Sequence, residues 1–232
     1  MKYAIATFSF GDRYANQTNR FIRSFEQIEN PPMIFIVSNK VDKIVKRPFV
    51  KVYDIKMFEP DYEYVENYYT FDFSVKRYSL KMAFDEGYEN VILTDTDVVL
   101  NPNKFNLIKN CFIPNSISSQ TTYSFIPNDK SELGKRFMNY ERLFDVYFNK
   151  NELYVMPEDC IQFISIEGNR RYKFIDTWSK CIQHKKEENM GNIPAGNIDE
   201  MCFAGLYNAV DLNNNSHIEI NIFDAKHDKW YI

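Results

Sequence analysis

The stretch Val91–Leu100 reads VILTDTDVVL, and it decides how the rest of the chain is interpreted. Apolar, mostly β-branched residues on both sides of a short acidic segment are typical of a buried strand that ends in a turn. Side chains two residues apart on a strand share a face, so Asp95 and Asp97 are expected to converge there. Two carboxylates suit Mg²⁺ or Mn²⁺ and leave open positions for a phosphate-bearing substrate. The alternative is that both aspartates only close the strand as turn formers.

Composition narrows the class of protein. The chain has 232 residues, 44% of them hydrophobic, which suffices for one large core, and we predict a single domain over 1–232. Its 28 basic and 32 acidic residues are spread along the chain, so no basic block favours binding to nucleic acid or to a membrane surface. Four scattered cysteines indicate a reducing compartment. Neither a leader-like apolar segment nor a transmembrane segment is found, so we expect a cytoplasmic protein.

The first hundred residues alternate predicted strands and helices. Strands are predicted at 3–8, 33–37, 49–55 and from residue 91, a polar turn at 9–16, and helices after residue 16 and at 74–86. Val75, Tyr78 and Met82 mark the apolar face of the second helix. Such alternation predicts an α/β fold with a mostly parallel central sheet flanked by helices, in which ligands bind beyond the carboxyl ends of the strands.

The remainder of the chain has a different rhythm. Strands are predicted near 118–125, 160–166 and 218–223, helices at 131–148, 172–182 and 199–209, a loop at 185–196 and an Asn-rich turn at 213–215. We therefore divide the domain into two halves, 1–100 and 101–232.

The order of these elements and the Asp95-Thr96-Asp97 motif resemble the GT-A-fold glycosyltransferases. The closer resemblance is to the retaining family that includes glycogenin and bacterial lipopolysaccharide galactosyltransferases. It implies a metal-dependent hexosyltransferase with a GT-A-like domain. The first half would bind a nucleoside-diphosphate sugar, with UDP favoured. The second half would bind a glycan or glycolipid acceptor.

The resemblance also implies which residues bind the donor. They are Thr7, Phe8, Ser9 and Tyr14 for the nucleoside, Lys76 and Arg77 on the upstream helix, and Thr94, Asp95 and Thr96 around the motif. Positive charge on that helix suits a diphosphate leaving group, which gains charge as the glycosidic bond breaks. His227 occupies the position of a late histidine that completes the metal site with Asp95 and Asp97. An imidazole ligand favours Mn²⁺, with Mg²⁺ as the alternative.

The chain departs from the retaining pattern in three places. Glu158-Asp159-Cys160 replaces a small Asn-Ala-Gly-like segment, Asp199-Glu200 replaces an Asp-Gln pair, and the closing motif around His227 lacks its Gly and Pro. The extra carboxylates on the acceptor side could supply the general base of an inverting transferase, so the stereochemistry stays open. We name Asp199, Glu200 and Asp159 as candidate catalytic residues. For Asp199, a helix N-cap is the competing interpretation.

Two other functions compete. The motif also resembles the nucleophile motif of haloacid-dehalogenase-like phosphatases, although that motif normally opens the catalytic core and here begins at Asp95. The other is a non-catalytic module that binds sugar nucleotides or glycans. A turnover assay separates these alternatives from a transferase.

Overall fold

The computed structural model describes most of the first half and several elements of the second. The described residues are 1–64, 73–119, 122–125, 154–157, 161–187, 213–217 and 223–225. The predicted helices at 131–148 and 199–209 lie outside them, as do Asp159, Asp199, Glu200 and His227.

Four parallel strands form one side of the main sheet. They are β1 (Tyr3–Ser9), β2 (Met33–Ser38), β3 (Val50–Asp54) and β4 (Asn90–Thr94). Their order across the sheet is β3-β2-β1-β4, so β1 lies in the middle, with β4 and β2 as its neighbours. Their near-continuous runs of apolar residues fit strands that are covered on both faces.

The remaining described strands continue this sheet or form two small ones. They are β5 (Val98–Leu100), β6 (Ser116–Ser119), β7 (Thr122–Phe125), β8 (Tyr154–Pro157), β9 (Ile161–Ser165), β10 (Asn213–His217) and β11 (Phe223–Ala225). β9 is antiparallel to β4 and β6, and β10 is parallel to β6. β5 pairs with β11, and β7 pairs with β8. The mostly parallel central sheet is confirmed.

Three α-helices are described, α1 (Gly11–Arg23), α2 (Lys76–Asp85) and α3 (Arg170–Glu187). Phe21 and Ile22 of α1 share an apolar cluster with Ile5 and Ile92 of the sheet. α2 packs on β1 and β2, and α3 packs on α2. None of the helices in the described part of the chain is long and apolar enough to cross a membrane.

Two predicted turns are wrong. α1 begins at Gly11, inside the predicted turn at 9–16, because Asn39 Oδ1 accepts the Gly11 N–H at 2.8 Å and so satisfies one of the first N–H groups of the helix. Gly11 itself has a φ of +68°, a conformation that favours glycine. The Asn-rich turn at 213–215 is the start of β10, because pairing with β6 outweighs the low strand propensity of Asn.

Three other predicted elements differ in detail. The strand near 118–125 is two strands, β6 and β7, in different sheets. Glu187 ends α3, so the predicted loop at 185–196 begins as helix. The predicted face of α2 is confirmed in part, because Val75, just before the helix, is fully buried, whereas Tyr78 and Met82 are only half-buried. α2 also buries Leu80, Ala83 and Phe84 and the charged residues of its first turn.

Cys111 is a core residue. It is fully buried and free, and burial raises the pKa of its thiol to about 11. It therefore stays a neutral thiol at neutral pH and packs as a small apolar side chain.

Candidate functional site

The carboxyl ends of β1 and β4 meet at one edge of the main sheet. The two strands are parallel neighbours, with Ala6 opposite Leu93, so Thr7 and Ser9 lie at the same level as the end of β4. α2 leads into β4, and its first residue, Lys76, reaches the same edge. We call this region, which contains Thr7, Ser9, Lys76 and residues 94–97, the carboxyl edge.

Asp95, Thr96 and Asp97 form the bend between two sheets. The chain leaves the main sheet after Thr94 and enters the small sheet at Val98, where β5 pairs with β11. Asp95 and Asp97 are half-buried, and Thr96 is fully buried. The motif is thus held between two strands, as the sequence predicted.

Asp95 carries a buried carboxylate oxygen without a hydrogen bond. Among the described residues, Asp95 Oδ1 has no hydrogen-bond partner, and its nearest cation, Lys76 Nζ, lies 3.6 Å away. Lys76 is itself 6% exposed. A buried carboxylate oxygen normally has a hydrogen bond or a metal ion as its partner. A hard divalent cation therefore fits this oxygen.

The side chain of Arg77 points into a different network. Its Nη1 donates to the backbone oxygen and hydroxyl of Ser74, at 2.9 and 2.7 Å. Its Nη2 bonds to Glu59 Oε1 at 3.0 Å and to Tyr78 Oη at 2.6 Å. Only its buried Nε lacks a hydrogen-bond partner among the described residues. The predicted contact between Arg77 and a diphosphate stays a prediction, and Nε is the atom left for it.

Small hydroxyl side chains line the carboxyl edge. Thr7, Ser9, Thr94 and Thr96 are all fully buried. Thr94 donates to the Asp95 carbonyl at 3.1 Å, whereas the hydroxyls of the other three have no partner among the described residues. Buried hydroxyls without partners are uncommon in native proteins, so this group is suited to hydrogen-bond a polar ligand.

Phe8 and Tyr14, both predicted to bind the nucleoside, lie in an aromatic cluster. Phe8 is fully buried with Phe10 and Val37, and the Phe8 and Tyr14 rings are 5.6 Å apart. Since neighbouring side chains alternate along a strand, Phe8 faces the opposite side of the sheet from Thr7 and Ser9. Its side chain serves the core, and a ligand could meet only its backbone.

The third predicted metal ligand, His227, cannot be placed, because it lies outside the described residues. Within the described residues, no three His, Cys, Asp or Glu side chains are grouped closely enough to hold a metal ion. Asp95 and Asp97 alone supply carboxylates at the bend. Their metal role stays a prediction, supported by the chemistry of Asp95 Oδ1.

Several residues at this edge were not found from the sequence. Glu59 and Ser74 carry no local motif, and their importance follows only from the burial of Arg77 beside them. Tyr62 and Tyr64 pack on Phe10, with ring centroids 5.4 and 6.0 Å away. The aromatic content of residues 58–64 was the one available signal, and it is equally typical of a core segment.

A groove of about 410 Å³ lies at the opposite, amino edge of the sheet. Tyr3, Tyr88 and Phe105 line it, and Lys2 Nζ lies 4.2 Å from the centre of the Tyr88 ring. It is remote from the aspartates, since Tyr3 and Ser9 are at opposite ends of β1. We place the functional site at the carboxyl edge, where parallel sheets bind ligands and where Asp95 Oδ1 and several buried hydroxyls have no hydrogen-bond partner within the described ranges.

Comparisons with known proteins agree with this architecture. No protein-family model and no curated protein matches the sequence. The structure is similar to that of the galactosyltransferase LgtC, solved with donor and acceptor sugar analogs, with a TM-score of 0.52 and 15% identity over 87% of this chain and 71% of that one. The glycosyltransferase GlyE of Streptococcus pneumoniae TIGR4 gives a TM-score of 0.47 and 11% identity over 88% of this chain. This chain spans 43% of the length of GlyE. The likeness to LgtC confirms that this chain has the GT-A-like fold of the glycosyltransferases.

Proposed function

We propose that this chain transfers a sugar from a nucleoside-diphosphate donor, UDP-linked, to a hydroxyl group of a glycan or glycolipid. The observation that carries the proposal is the buried Oδ1 of Asp95 at the carboxyl edge, which has no hydrogen-bond partner among the described residues and lies 3.6 Å from Lys76 Nζ. An anionic oxygen beside a cation, in a setting lined with unused hydroxyls, suits a metal ion and a diphosphate together.

Different side chains of this protein would bind different parts of the donor. The unused hydroxyls of Thr7, Ser9 and Thr96 would hydrogen-bond the polar parts of the donor. Lys76 lies at the start of α2, where the helix dipole is positive, so both would attract the diphosphate and stabilise the charge that develops on it. Their effect is greatest in the transition state because the leaving group gains charge as the bond breaks.

Asp95, Asp97 and His227 would hold the divalent ion, with Mn²⁺ favoured over Mg²⁺. When bound, such an ion neutralises charge on a diphosphate leaving group. The pairing of β11 supports the place of His227 in this set, because Ala225 lies opposite Val98, the residue after Asp97. His227 follows Ala225 by two residues in the sequence.

On the acceptor side we propose Asp199 or Glu200 as the group that orients the hydroxyl and, in an inverting reaction, removes its proton. Asp159 would hold the donor sugar through hydrogen bonds. Asp199→Asn or Glu200→Gln should lower kcat by roughly a hundredfold while UDP binds as before. The anomeric configuration of the product, measured by NMR, separates inversion from retention. Near-normal kcat with reduced thermal stability in both variants would assign Asp199 to a helix cap.

The test of the proposed function is turnover. The protein is incubated with a panel of UDP-sugars in Mn²⁺ or in EDTA, and free UDP and inorganic phosphate are both measured. We expect release of UDP from at least one donor, in Mn²⁺ only. Release of phosphate without UDP would indicate a phosphatase instead. Binding without turnover, under every acceptor tried, would favour a non-catalytic module.

A further inference from the structure

A buried network ties residues 55–64, which follow β3, to the first turn of α2. Glu59 Oε1 accepts hydrogen bonds from Arg77 Nη2 at 3.0 Å and from the Tyr78 hydroxyl. The Phe58 ring stacks on the Tyr78 ring, with centroids 4.7 Å apart and planes inclined by 13°. The Arg77 side chain is only 5% exposed, so this ion pair is largely shielded from water. We call residues 55–64 the β3 connection.

The β3 connection also forms part of the wall beside β1. Tyr62 and Tyr64 both pack on Phe10, the residue between Ser9 and Gly11. A Cβ added to Gly11 would lie 2.8 Å from the hydroxyl of Tyr64, so only glycine leaves room for that ring. The segment that contains Glu59 therefore touches the end of β1 as well as α2.

The other partner of the network stands next to the aspartates. Arg77 and Tyr78 directly follow Lys76, whose ammonium lies 3.6 Å from Asp95 Oδ1. The first turn of a helix is short and stiff, so a shift of Arg77 also moves Lys76. Glu59 thus lies between two walls of the carboxyl edge, the β1 end with its aromatic cover and the α2 start with its cation.

Loss of the Glu59 carboxylate has a predictable physical consequence. The Arg77 guanidinium is only 5% exposed, so keeping it in place without its counter-charge would cost free energy. Removal of one partner of a buried ion pair leaves the other charge uncompensated. Arg77 would turn toward water and carry the first turn of α2 with it. Lys76 would then move away from Asp95.

We propose that Glu59 is a positioning residue of the donor site. It touches neither donor nor metal and acts through Arg77, which fixes Lys76 against Asp95, and through the β3 connection, which fixes the aromatic cover of β1. This inference rests on the proposed function for the identity of the donor. The placement of Lys76 and Asp95 by Glu59 does not depend on it.

The chain offers a matched control on the same helix. Glu86, at the other end of α2, accepts hydrogen bonds from Lys51 of β3 at 2.5 and 2.6 Å. This pair also joins α2 to the β3 side of the sheet, but it is solvent-exposed and lies at the amino edge, far from the aspartates. Loss of either glutamate removes one ion pair between α2 and the β3 side of the sheet. Of the two glutamates, Glu59 lies at the carboxyl edge and Glu86 at the amino edge.

The experiment compares Glu59→Ala, Glu59→Gln and Glu86→Ala with the wild type. The first readout is the Kd of UDP in Mn²⁺, measured by calorimetry. Glu59→Ala should raise it about tenfold, the size expected within one coupled network. Glu59→Gln, which keeps an acceptor oxygen, should have a smaller effect, and Glu86→Ala should stay within about twofold of the wild type.

The second readout needs no ligand. Hydrogen exchange of the peptide that spans residues 91–100 should be faster in Glu59→Ala and unchanged in Glu86→Ala. If the wild type binds UDP and Glu59→Ala binds it equally well, the inference is overturned. If the wild type binds neither UDP, GDP nor dTDP in Mn²⁺, the proposed function fails, and hydrogen exchange alone decides the role of Glu59. Unchanged exchange at 91–100 in Glu59→Ala would then reject it.

Discussion

Lys76 is a buried cation whose role depends on what occupies the site. In the structure its ammonium offsets the charge of Asp95, which is 27% exposed at the side chain. A metal ion bound to Asp95 competes with that ammonium for the same oxygen. A diphosphate, by contrast, gains a cationic partner. In the proposed site, Lys76 would therefore weaken the binding of a metal ion by itself and strengthen the binding of a diphosphate donor.

Lys76→Met separates these two effects. Without the competing ammonium, Mn²⁺ alone should bind more tightly by about 1 kcal/mol, roughly fivefold. UDP in saturating Mn²⁺ should bind more weakly by about tenfold, because a charge-assisted contact is lost. Titrations of Mn²⁺ by electron paramagnetic resonance and of UDP by calorimetry measure the two constants. Lys81→Met removes an exposed ion pair with Asp85 on the same helix and should change neither. Equal weakening of both ligands in Lys76→Met would contradict this account.

Gly11 and Gly87 give a second matched pair. Both have positive φ, +68° and +83°, but a Cβ at Gly11 would meet Tyr64, whereas a Cβ at Gly87 meets nothing within 4 Å. Gly87→Ala should cost about 1 kcal/mol of unfolding free energy from backbone strain alone. Gly11→Ala should cost about 1 kcal/mol more, because Tyr64 must shift. Urea unfolding measures both. Equal losses of unfolding free energy in the two variants would mean that the Tyr64 ring moves aside without cost and does not constrain the end of β1.

β11 is the described element of the second half that lies beside the aspartates. Its pairing with β5 is antiparallel, so β11 runs toward the bend at Asp95–Asp97 and ends at Ala225, opposite Val98. This pairing was not predicted from the sequence, because β11 has three residues and β5 has three, too few for a periodic pattern. Long-range pairing leaves no local signal in either segment.

His227→Ala tests whether this element completes the metal site. The variant should lose more affinity for Mn²⁺ than for Mg²⁺, because imidazole nitrogen favours Mn²⁺. Lys229→Ala, in the same tail, should leave the affinity for both metal ions unchanged. Competition between the two ions, followed by electron paramagnetic resonance of free Mn²⁺, reports the ratio. Equal losses for both ions would exclude direct ligation by His227.

Local sequence patterns predicted the strands and helices of the first half well. They were less successful in predicting which face of a helix is buried. β1 to β4 and the helix before Asp95 follow from apolar runs and helical spacing. The burial of Lys76 and Arg77 on α2 could not be predicted, because each lies beside a carboxylate of another segment, Asp95 and Glu59 respectively. A charged side chain in isolation predicts exposure. The partners that reverse this rule come from distant parts of the sequence.

At the scale of the whole molecule, the described residues bring the predicted polar groups together at the carboxyl edge of the main sheet. Thr7, Asp95 and Lys76 come from three elements separated along the chain, and the parallel sheet brings them together. The Asp95-Thr96-Asp97 motif marked this edge from the sequence, since it follows the predicted strand. The sequence predicted neither the hydrogen-bond network of Glu59 nor the packing of Tyr62 and Tyr64 over the end of β1, because both depend on contacts between distant elements.

Calorimetric titration of UDP in Mn²⁺ and in EDTA, with Asp95→Asn and Asp97→Asn, tests the central claim most directly. The matched control is Asp85→Asn, which neutralises an exposed carboxylate at the far end of α2. The account predicts that the wild type and Asp85→Asn bind UDP in Mn²⁺ but not in EDTA. It also predicts that both motif variants bind UDP about tenfold more weakly or worse. Both should still unfold in one cooperative thermal transition, although loss of the Asp95 charge beside the buried Lys76 should lower the midpoint of Asp95→Asn. Equal binding of UDP in EDTA, or wild-type affinity in either motif variant, would contradict the assignment of the carboxyl edge as a metal-dependent donor site.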